Sequence, residues 1–429
     1  MTAQAQVSHP GSASGLAPGR RLLPPAGLTL DQHLVLHGPP AYRGRLGALV
    51  DELRAAGLTG RGGAAFPVHR KMSAVLSAGG RPVVAANGAE GEPAAHKDKT
   101  LLALAPHLVL DGLQLAAEAV GARDAYLYIH RAGRVSQYLD AVLAQRHAAQ
   151  VDRVPVSVVY APPRFLAGQE SALVHRIEGG PAVPRYAPRL VAECGIAGAP
   201  TLVQNVETLA HIALIARYGA PWFREAGTPE EPGTMLATIY PASGKARVVE
   251  TAPGTPISAL LDVQAAQAVL VGGYHGTWLP AARAAQLRLS NTALRPEGAA
   301  LGAGVLAALP YDRCGVRETA RVLRYLADES AGQCGPCLNG LPRVADTWAT
   351  LAGAGPHRAA RANLERWAHL LDGRGACHHP DGSMRFARSA FTVFGDDLRH
   401  HERGYCSGTN SAPFLPLPAH APLADEDWS

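Results

Sequence analysis

The sequence predicts an α/β protein: a mostly parallel sheet, followed by a small β-grasp-like module and a C-terminal helical bundle. Three observations carry this reading. Short apolar runs alternate with helical segments over the first half of the chain, as in a parallel sheet covered on both faces. After Pro221 the texture changes to short alternating runs broken by Pro and Gly. From Gly315 onward, apolar residues recur at helical spacing.

Taken in order, Leu46, Leu49, Val50 and Leu53 share one helical face. Residues 81–87 read as a buried strand. Residues 97–120 read as a long helix broken or restarted near Pro106, whose ring clashes with an uninterrupted helix. Strands at 125–130 and 154–160 flank a helix at 135–145. Runs at 234–240 and 246–250 then enclose a Pro/Gly turn, with a short helix at 257–262 and a closing strand at 268–272. In the last third Val316, Ala320, Leu323 and Ala327 share a face, as do Val344, Trp348 and Leu351. Leu364, Trp367 and Leu371 repeat the pattern, and so do Phe386, Ala390 and Phe394, giving four bundled helices. The expected organisation is a flexible arm over 1–30, an α/β domain over 31–230, the β-grasp-like module over 231–312, the helical bundle over 313–405 and a loosely held tail over 406–429.

Composition narrows the function. With 429 residues, 47% hydrophobic and 17% charged, the chain has the make-up of a multi-domain globular protein. The net charge of +5 is mild, and no run of Lys or Arg interleaves with aromatics, which argues against a nucleic-acid partner. No stretch of eighteen apolar residues occurs, so no membrane span is expected. The first thirty residues lack the apolar core of a signal peptide. Three of the six cysteines, Cys194, Cys314 and Cys406, stand singly, which argues against a disulfide framework and for a cytoplasmic setting, or one peripheral to a membrane complex.

Two motifs hold most of the chemistry. In Gly60-Arg61-Gly62-Gly63-Ala64-Ala65-Phe66-Pro67, small residues around one arginine let backbone N–H groups converge on an anion. In Asn87-Gly88-Ala89-Glu90-Gly91-Glu92-Pro93, two carboxylates and an amide follow the end of an apolar strand, where ligands of open α/β sheets bind. Further along come Gly168-Gln169-Glu170-Ser171-Ala172-Leu173, Gly198-Ala199-Pro200-Thr201, Asn205-Val206-Glu207-Thr208-Leu209, Gly272-Gly273, and Glu329-Ser330-Ala331-Gly332-Gln333-Cys334-Gly335-Pro336-Cys337. In this order, from about 46 to 399, they resemble the NADH-binding flavoprotein subunit of respiratory complex I (the 51 kDa, or F-type, subunit). The same module occurs in NAD-reducing hydrogenases and NAD-dependent formate dehydrogenases.

The resemblance implies an NADH dehydrogenase-type oxidoreductase. Electrons would pass from NADH through FMN to a [4Fe–4S] cluster, and on to quinone oxidoreductase subunits or a ferredoxin. It places Gly60, Arg61, Gly62, Gly63 and Lys71 on one side of the flavin. Asn87, Glu90 and Glu92 would line it, Glu170, Asn205 and Thr208 would close it, and Phe66 would stack on the dinucleotide. No side chain need act as a catalytic acid or base, because the flavin performs the hydride chemistry. The β-grasp-like module corresponds to the family's SLBB domain. Cys334, Cys337 and Cys377 match three cluster ligands.

The chain also departs from the family pattern. A carboxylate is replaced by Ala89, a tyrosine by Phe165, a cysteine by Ala167, a glutamate by Gln169 and an asparagine by Gln204. Each lost ligand hydrogen bond costs about 0.5–1.5 kcal/mol. The first cluster cysteine has become Ala331, leaving His378, His379 or Cys406 as candidate fourth ligands. Three outcomes stay open: a [4Fe–4S] cluster with a replaced ligand, a three-iron cluster, or leftover thiols forming at most a zinc half-site. The alternatives to NADH oxidation are an iron–sulfur electron-transfer subunit and a cofactor-free structural paralogue.

Overall fold

Alternation along one strand sets the first sheet between two cores. In the computed structural model, which describes residues 21–131, 133–186, 188–353, 358–418 and 428–429, Val84 and Ala86 point into one apolar cluster while Val83 and Ala85 point into another. The first half of the chain runs α1 (Leu30–His37), α2 (Ala48–Ala56), α3 (Val68–Ala78), β1 (Val83–Asn87), α4 (Lys97–Leu104), α5 (Pro106–Val120), β2 (Asp124–His130), α6 (Gly133–Ala148), β3 (Val156–Ala161), α7 (Glu170–Ile177), β4 (Thr201–Asn205) and α8 (Val206–Arg224). The strands form a four-stranded parallel sheet in the order β3-β2-β1-β4. Helices α5 and α8 cross so closely that a Cβ on Gly112 would lie 1.9 Å from the Leu209 carbonyl oxygen. The expected break at Pro106 is a sharp corner: α4 and α5 meet at 97°. No single helix among the described residues is long and apolar enough to cross a membrane.

A second, five-stranded sheet follows, ordered β6-β5-β9-β7-β8. Its members are β5 (Met235–Tyr240), β6 (Arg247–Thr251), β7 (Ala266–Val271), β8 (Thr277–Pro280) and β9 (Val305–Pro310), with the one-turn helices α9 (Ile257–Leu260), α10 (Ala281–Ala284) and α11 (Asn291–Leu294) between them. Three strands go beyond the sequence reading. β4 mixes polar with apolar residues, β8 is short, and β9 is a featureless apolar run that nonetheless occupies the centre of its sheet. One face packs under the one-turn helices through Ile239, Val269 and Leu306, and the other packs against the C-terminal helices through Leu270, Ala307 and Leu309.

Among the described residues five helices follow rather than four: α12 (Gly315–Asp328), α13 (Leu341–Ala352), α14 (Arg358–Leu371), α15 (His379–Val393) and α16 (Gly395–Glu402). Trp348, Phe386 and Ala390 are fully buried among them.

Two expectations of looseness are corrected. Residues 1–20 lie outside the described part of the arm. The next three, however, are anchored: Arg21, Leu22 and Leu23 donate their N–H groups to the Glu250 carboxylate at 2.9–3.2 Å, and both leucines are buried. The tail is also held, as far as Leu417. Glu318 accepts the N–H groups of Phe414 and Leu415 at 3.2 and 3.0 Å, and Leu415 is fully buried. In both cases a carboxylate, half-buried at Glu250 and buried at Glu318, collects backbone donors from a segment distant in sequence, which composition alone does not reveal.

Candidate active site

The switch point of the parallel sheet lies between β1 and β4, because the chain winds outward from β1 to β3 and then returns to the other side of β1. Asn87 and Asn205 are register partners at the carboxyl ends of these two strands. An open cleft of about 700 Å³ sits directly above them, the expected position for a ligand of such a sheet. The Asn205 carboxamide caps α8 by accepting the Glu207 N–H at 3.0 Å, and donates to Asp98 at 2.7 Å. The Asn87 amide donates to the Gly168 carbonyl at 2.8 Å.

Of the cofactor-binding residues expected from sequence, all but Arg61 line this cleft. The glycine loop is closed at its base by the Gly60 N–H donating to the Phe66 carbonyl at 2.9 Å, with Gly63 and Ala65 at positive φ. Its glycines face the open cleft, and Phe66 stands 52% exposed at the mouth, an aromatic face without an apolar cover. Lys71 and Glu170 pair across the cleft at 2.5 Å. Thr208 is buried beneath and accepts the Arg61 N–H at 2.8 Å. Arg61 itself is a correction. Its guanidinium turns away from the cleft toward the Pro232 carbonyl (3.2 Å) and Thr59 (3.4 Å), drawn by the charges of Glu207 and Glu231. What it offers the cleft is backbone.

The acidic floor is electrostatically unusual. Burial, and secondarily the neighbouring Asp98 charge, push Glu90 up to about 7. Burial pushes Glu92 up to about 8, although it accepts the Tyr274 N–H at 2.9 Å. Beneath them Lys97 is buried between Asp98 (2.6 Å) and Glu207 (3.0 Å). This trio lines the cleft or the space behind the glycine loop, and the sequence reading missed it. The available signal was that Lys97 is one of only four lysines and comes soon after the second motif, beyond Ala94, Ala95 and His96.

The cysteine loop lies between α12 and α13. Cys334 is half-buried, Cys337 is buried on a single widened turn at Pro336–Gly340, and Cys377 comes from the link between α14 and α15. Burial and the nearness of Cys334 and Cys377 raise the Cys337 thiol well above its usual range. Ala331 packs with Leu166 and Trp428. Two of the candidate fourth ligands are corrected. Both His379 ring nitrogens are engaged, one with the Leu326 carbonyl at 2.8 Å and one with His275 at 3.0 Å. Cys406 lies elsewhere, beside Cys314 and His401. His378 is fully exposed at the rim of the cleft.

Residues 53–214 match the Nuo51 FMN-binding domain, and residues 317–401 match the NADH-ubiquinone oxidoreductase-F iron–sulfur binding region. Both matched regions are parts of the complex I 51 kDa flavoprotein, to which this chain is similar. It is 28% identical to the F-type NADH-quinone oxidoreductase subunit of Rickettsia bellii over 312 residues, covering 68% of this chain and 75% of the relative. To an F-type NADH-quinone oxidoreductase subunit of Rhizobium meliloti it is 27% identical over 383 residues, covering 83% and 90%. The crystal structure of an NAD+-reducing [NiFe]-hydrogenase in the H2-reduced state superposes with a TM-score of 0.76 at 29% identity, covering 84% of this chain. This chain spans 63% of that hydrogenase chain's length.

The residues present fit the family's flavin. The cleft has the volume, Gly63 takes a positive φ and Gly168 has no room for a side chain, and a buried Gln204 amide nitrogen has no partner. For the cluster the donor set fits in three of its four positions.

The raised Glu92 has a testable sign. Between pH 4.5 and about 8 the folded state binds a proton that the unfolded chain has lost, so this group's contribution to stability falls as pH rises through that window. The unfolding midpoint of the parent protein minus that of Glu92→Gln is therefore expected to decline from the acid to the alkaline end of the window. A difference that stays flat would mean Glu92 is already ionised when folded.

Proposed function

We propose that this chain is an NADH-oxidising flavoprotein that passes electrons onward through an iron–sulfur centre. The observation that carries the reading is the paired asparagines at the β1/β4 switch point beneath a cleft lined by the glycine loop. When bound, FMN supplies hydride acceptance and divides the electron pair into single electrons. The chain's residues supply position and field. Gly62 and Gly63 present backbone at close range, and Lys71 provides the cation at the wall. The exposed Phe66 ring gives a platform for a base. Glu92, neutral near physiological pH, can donate a hydrogen bond to an anionic dinucleotide rather than repel it.

In this reading Cys334, Cys337 and Cys377 hold the cluster, with the position of Ala331 open to an exogenous ligand. The next carrier is a separate electron-transfer protein, either complex I-type subunits or a ferredoxin, reached in the cytoplasm or at a membrane surface. The units proposed are the flavin domain over 31–230, an SLBB-type β-grasp domain containing the five-stranded sheet over 231–312, and the iron–sulfur helical domain over 313–405.

The test is the ultraviolet–visible spectrum of anaerobically purified protein before and after NADH. Flavin bands over broad iron–sulfur absorbance, bleached by NADH, are expected. Flavin present but unresponsive to NADH would favour a protein that only relays electrons. A protein still colourless after reconstitution with FMN, iron and sulfide would end the redox reading altogether.

A further inference from the structure

A second group of metal-ligating side chains lies apart from both the cleft and the cysteine loop. Cys314, His401 and Cys406 bring their ligand atoms within 4.8 Å of one another, the only such group among the described residues. They come from three segments: the turn before α12, the last turn of α16, and the tail. The Cys314 sulfur lies 3.4 Å from His401 Nε2. A tetrahedral zinc site with Zn–S bonds of about 2.3 Å and Zn–N bonds of about 2.0–2.1 Å places its ligand atoms roughly 3.5–3.8 Å apart. The three groups therefore already stand close to the spacing one ion requires.

We propose that Cys314, His401 and Cys406 bind a structural zinc ion that clips the tail to the helical region. The donor set, two thiols and an imidazole, is the set zinc prefers over hard cations. The surroundings are those of a supported site. His401 Nδ1 faces the Gly353 carbonyl at 3.3 Å, so its proton belongs there and Nε2 presents its lone pair to the sulfurs. Cys314 caps α12 and accepts the Arg317 N–H at 3.4 Å, which fixes the position of its sulfur. Asp397 stands one turn before His401, close enough for its charge to act on both Cys314 and His401, and its carboxylate accepts from Ser407 next to Cys406. A water fills the fourth position. Binding releases two protons, one from each thiol, and involves no change of oxidation state.

The consequence is a closed tail. Beyond Cys406 the Asn410 N–H donates to the Asp312 carbonyl at 2.9 Å, and the Tyr274 hydroxyl donates to the Pro416 carbonyl. The clip thus fastens the start of a segment that crosses back over α12 to the second sheet.

The experiment is elemental analysis of the full chain purified under reducing conditions from cells supplied with zinc and iron. About one zinc per chain is expected, independent of flavin content. Cys314→Ser with Cys406→Ser should lower zinc at least tenfold and speed proteolysis of the tail. Cys334→Ser should leave zinc unchanged while reading the other cysteine site. Cobalt(II) replacing zinc should give tetrahedral, thiolate-ligated absorption bands in the parent protein, so the test does not depend on the double variant folding. Zinc below a tenth of an equivalent with no cobalt uptake would overturn the proposal. So would a Cys314–Cys406 disulfide, seen as a loss of two hydrogens in the intact mass of the metal-free protein, or zinc undiminished in the double serine variant.

Discussion

Replacing Lys97 with Met is expected to lower the unfolding free energy by about 3–5 kcal/mol. The ammonium group is enclosed, its side chain 5% exposed, and its partners Asp98 and Glu207 are 8% and 1% exposed. Removing it strands two carboxylates without solvent. Glu207 also accepts the Leu236 N–H from β5 at 2.9 Å, so the damage reaches the joint between the parallel sheet and the second sheet. The triple change Lys97→Met, Asp98→Asn and Glu207→Gln should recover much of the loss, because removing a buried charge network entire is far less costly than breaking it. Denaturant midpoints of the three proteins, followed by a probe in each half of the chain, provide the measurement. A loss below about 1 kcal/mol for Lys97→Met would place the network in water, with the energetics of a surface pair.

Gly168→Ala should separate cofactor binding from folding. A Cβ there would come within 2.5 Å of the Ala89 carbonyl oxygen, and the Gly168 carbonyl is itself the acceptor for Asn87. The two motif loops must part, at an overpacking cost of about 1–3 kcal/mol. Because their closeness shapes the cleft, that cost is expected to fall mainly on the ligand-bound state. At about 1.4 kcal/mol per tenfold, flavin affinity should drop by roughly five- to a hundredfold. Gly395→Ala is the control, since its added Cβ meets nothing nearer than the end of the Arg399 side chain at 4.0 Å. Fluorescence titration with FMN reads both variants. Equal affinities would show that the loops tolerate separation.

The sequence disclosed the cleft far better than its supports. The glycine loop and the residues from Asn87 to Glu92 are local motifs, and their chemistry survives reading one segment at a time. Strands β1, β2 and β3 were legible because each is a short apolar run bounded by breakers. β9 was not: Val305–Pro310 has no alternation, since both of its faces are buried. Lys97 and Glu207 meet across 110 positions, and nothing local marks either as a partner. Arg61 was misplaced for the same reason. Its destination depends on Pro232, on a segment that the motif does not include. Cys314 and His401 likewise meet across 87 positions, and singly each residue of their group with Cys406 reads as core or surface.

The order in which the ribosome delivers these strands has its own cost. β9, the central strand of the second sheet, is the last of its five to be made. At ordinary elongation rates, roughly 4–15 s separate the emergence of β5 from that of β9. Throughout that interval β5, joined by β7 once it is made, presents an unsatisfied inner edge of main-chain donors and acceptors on a nascent chain. The interval should make co-translational aggregation, rather than equilibrium stability, the factor that limits yield in a heterologous host. Slower growth or added chaperone would then rescue soluble protein more effectively than stabilising substitutions in the finished fold.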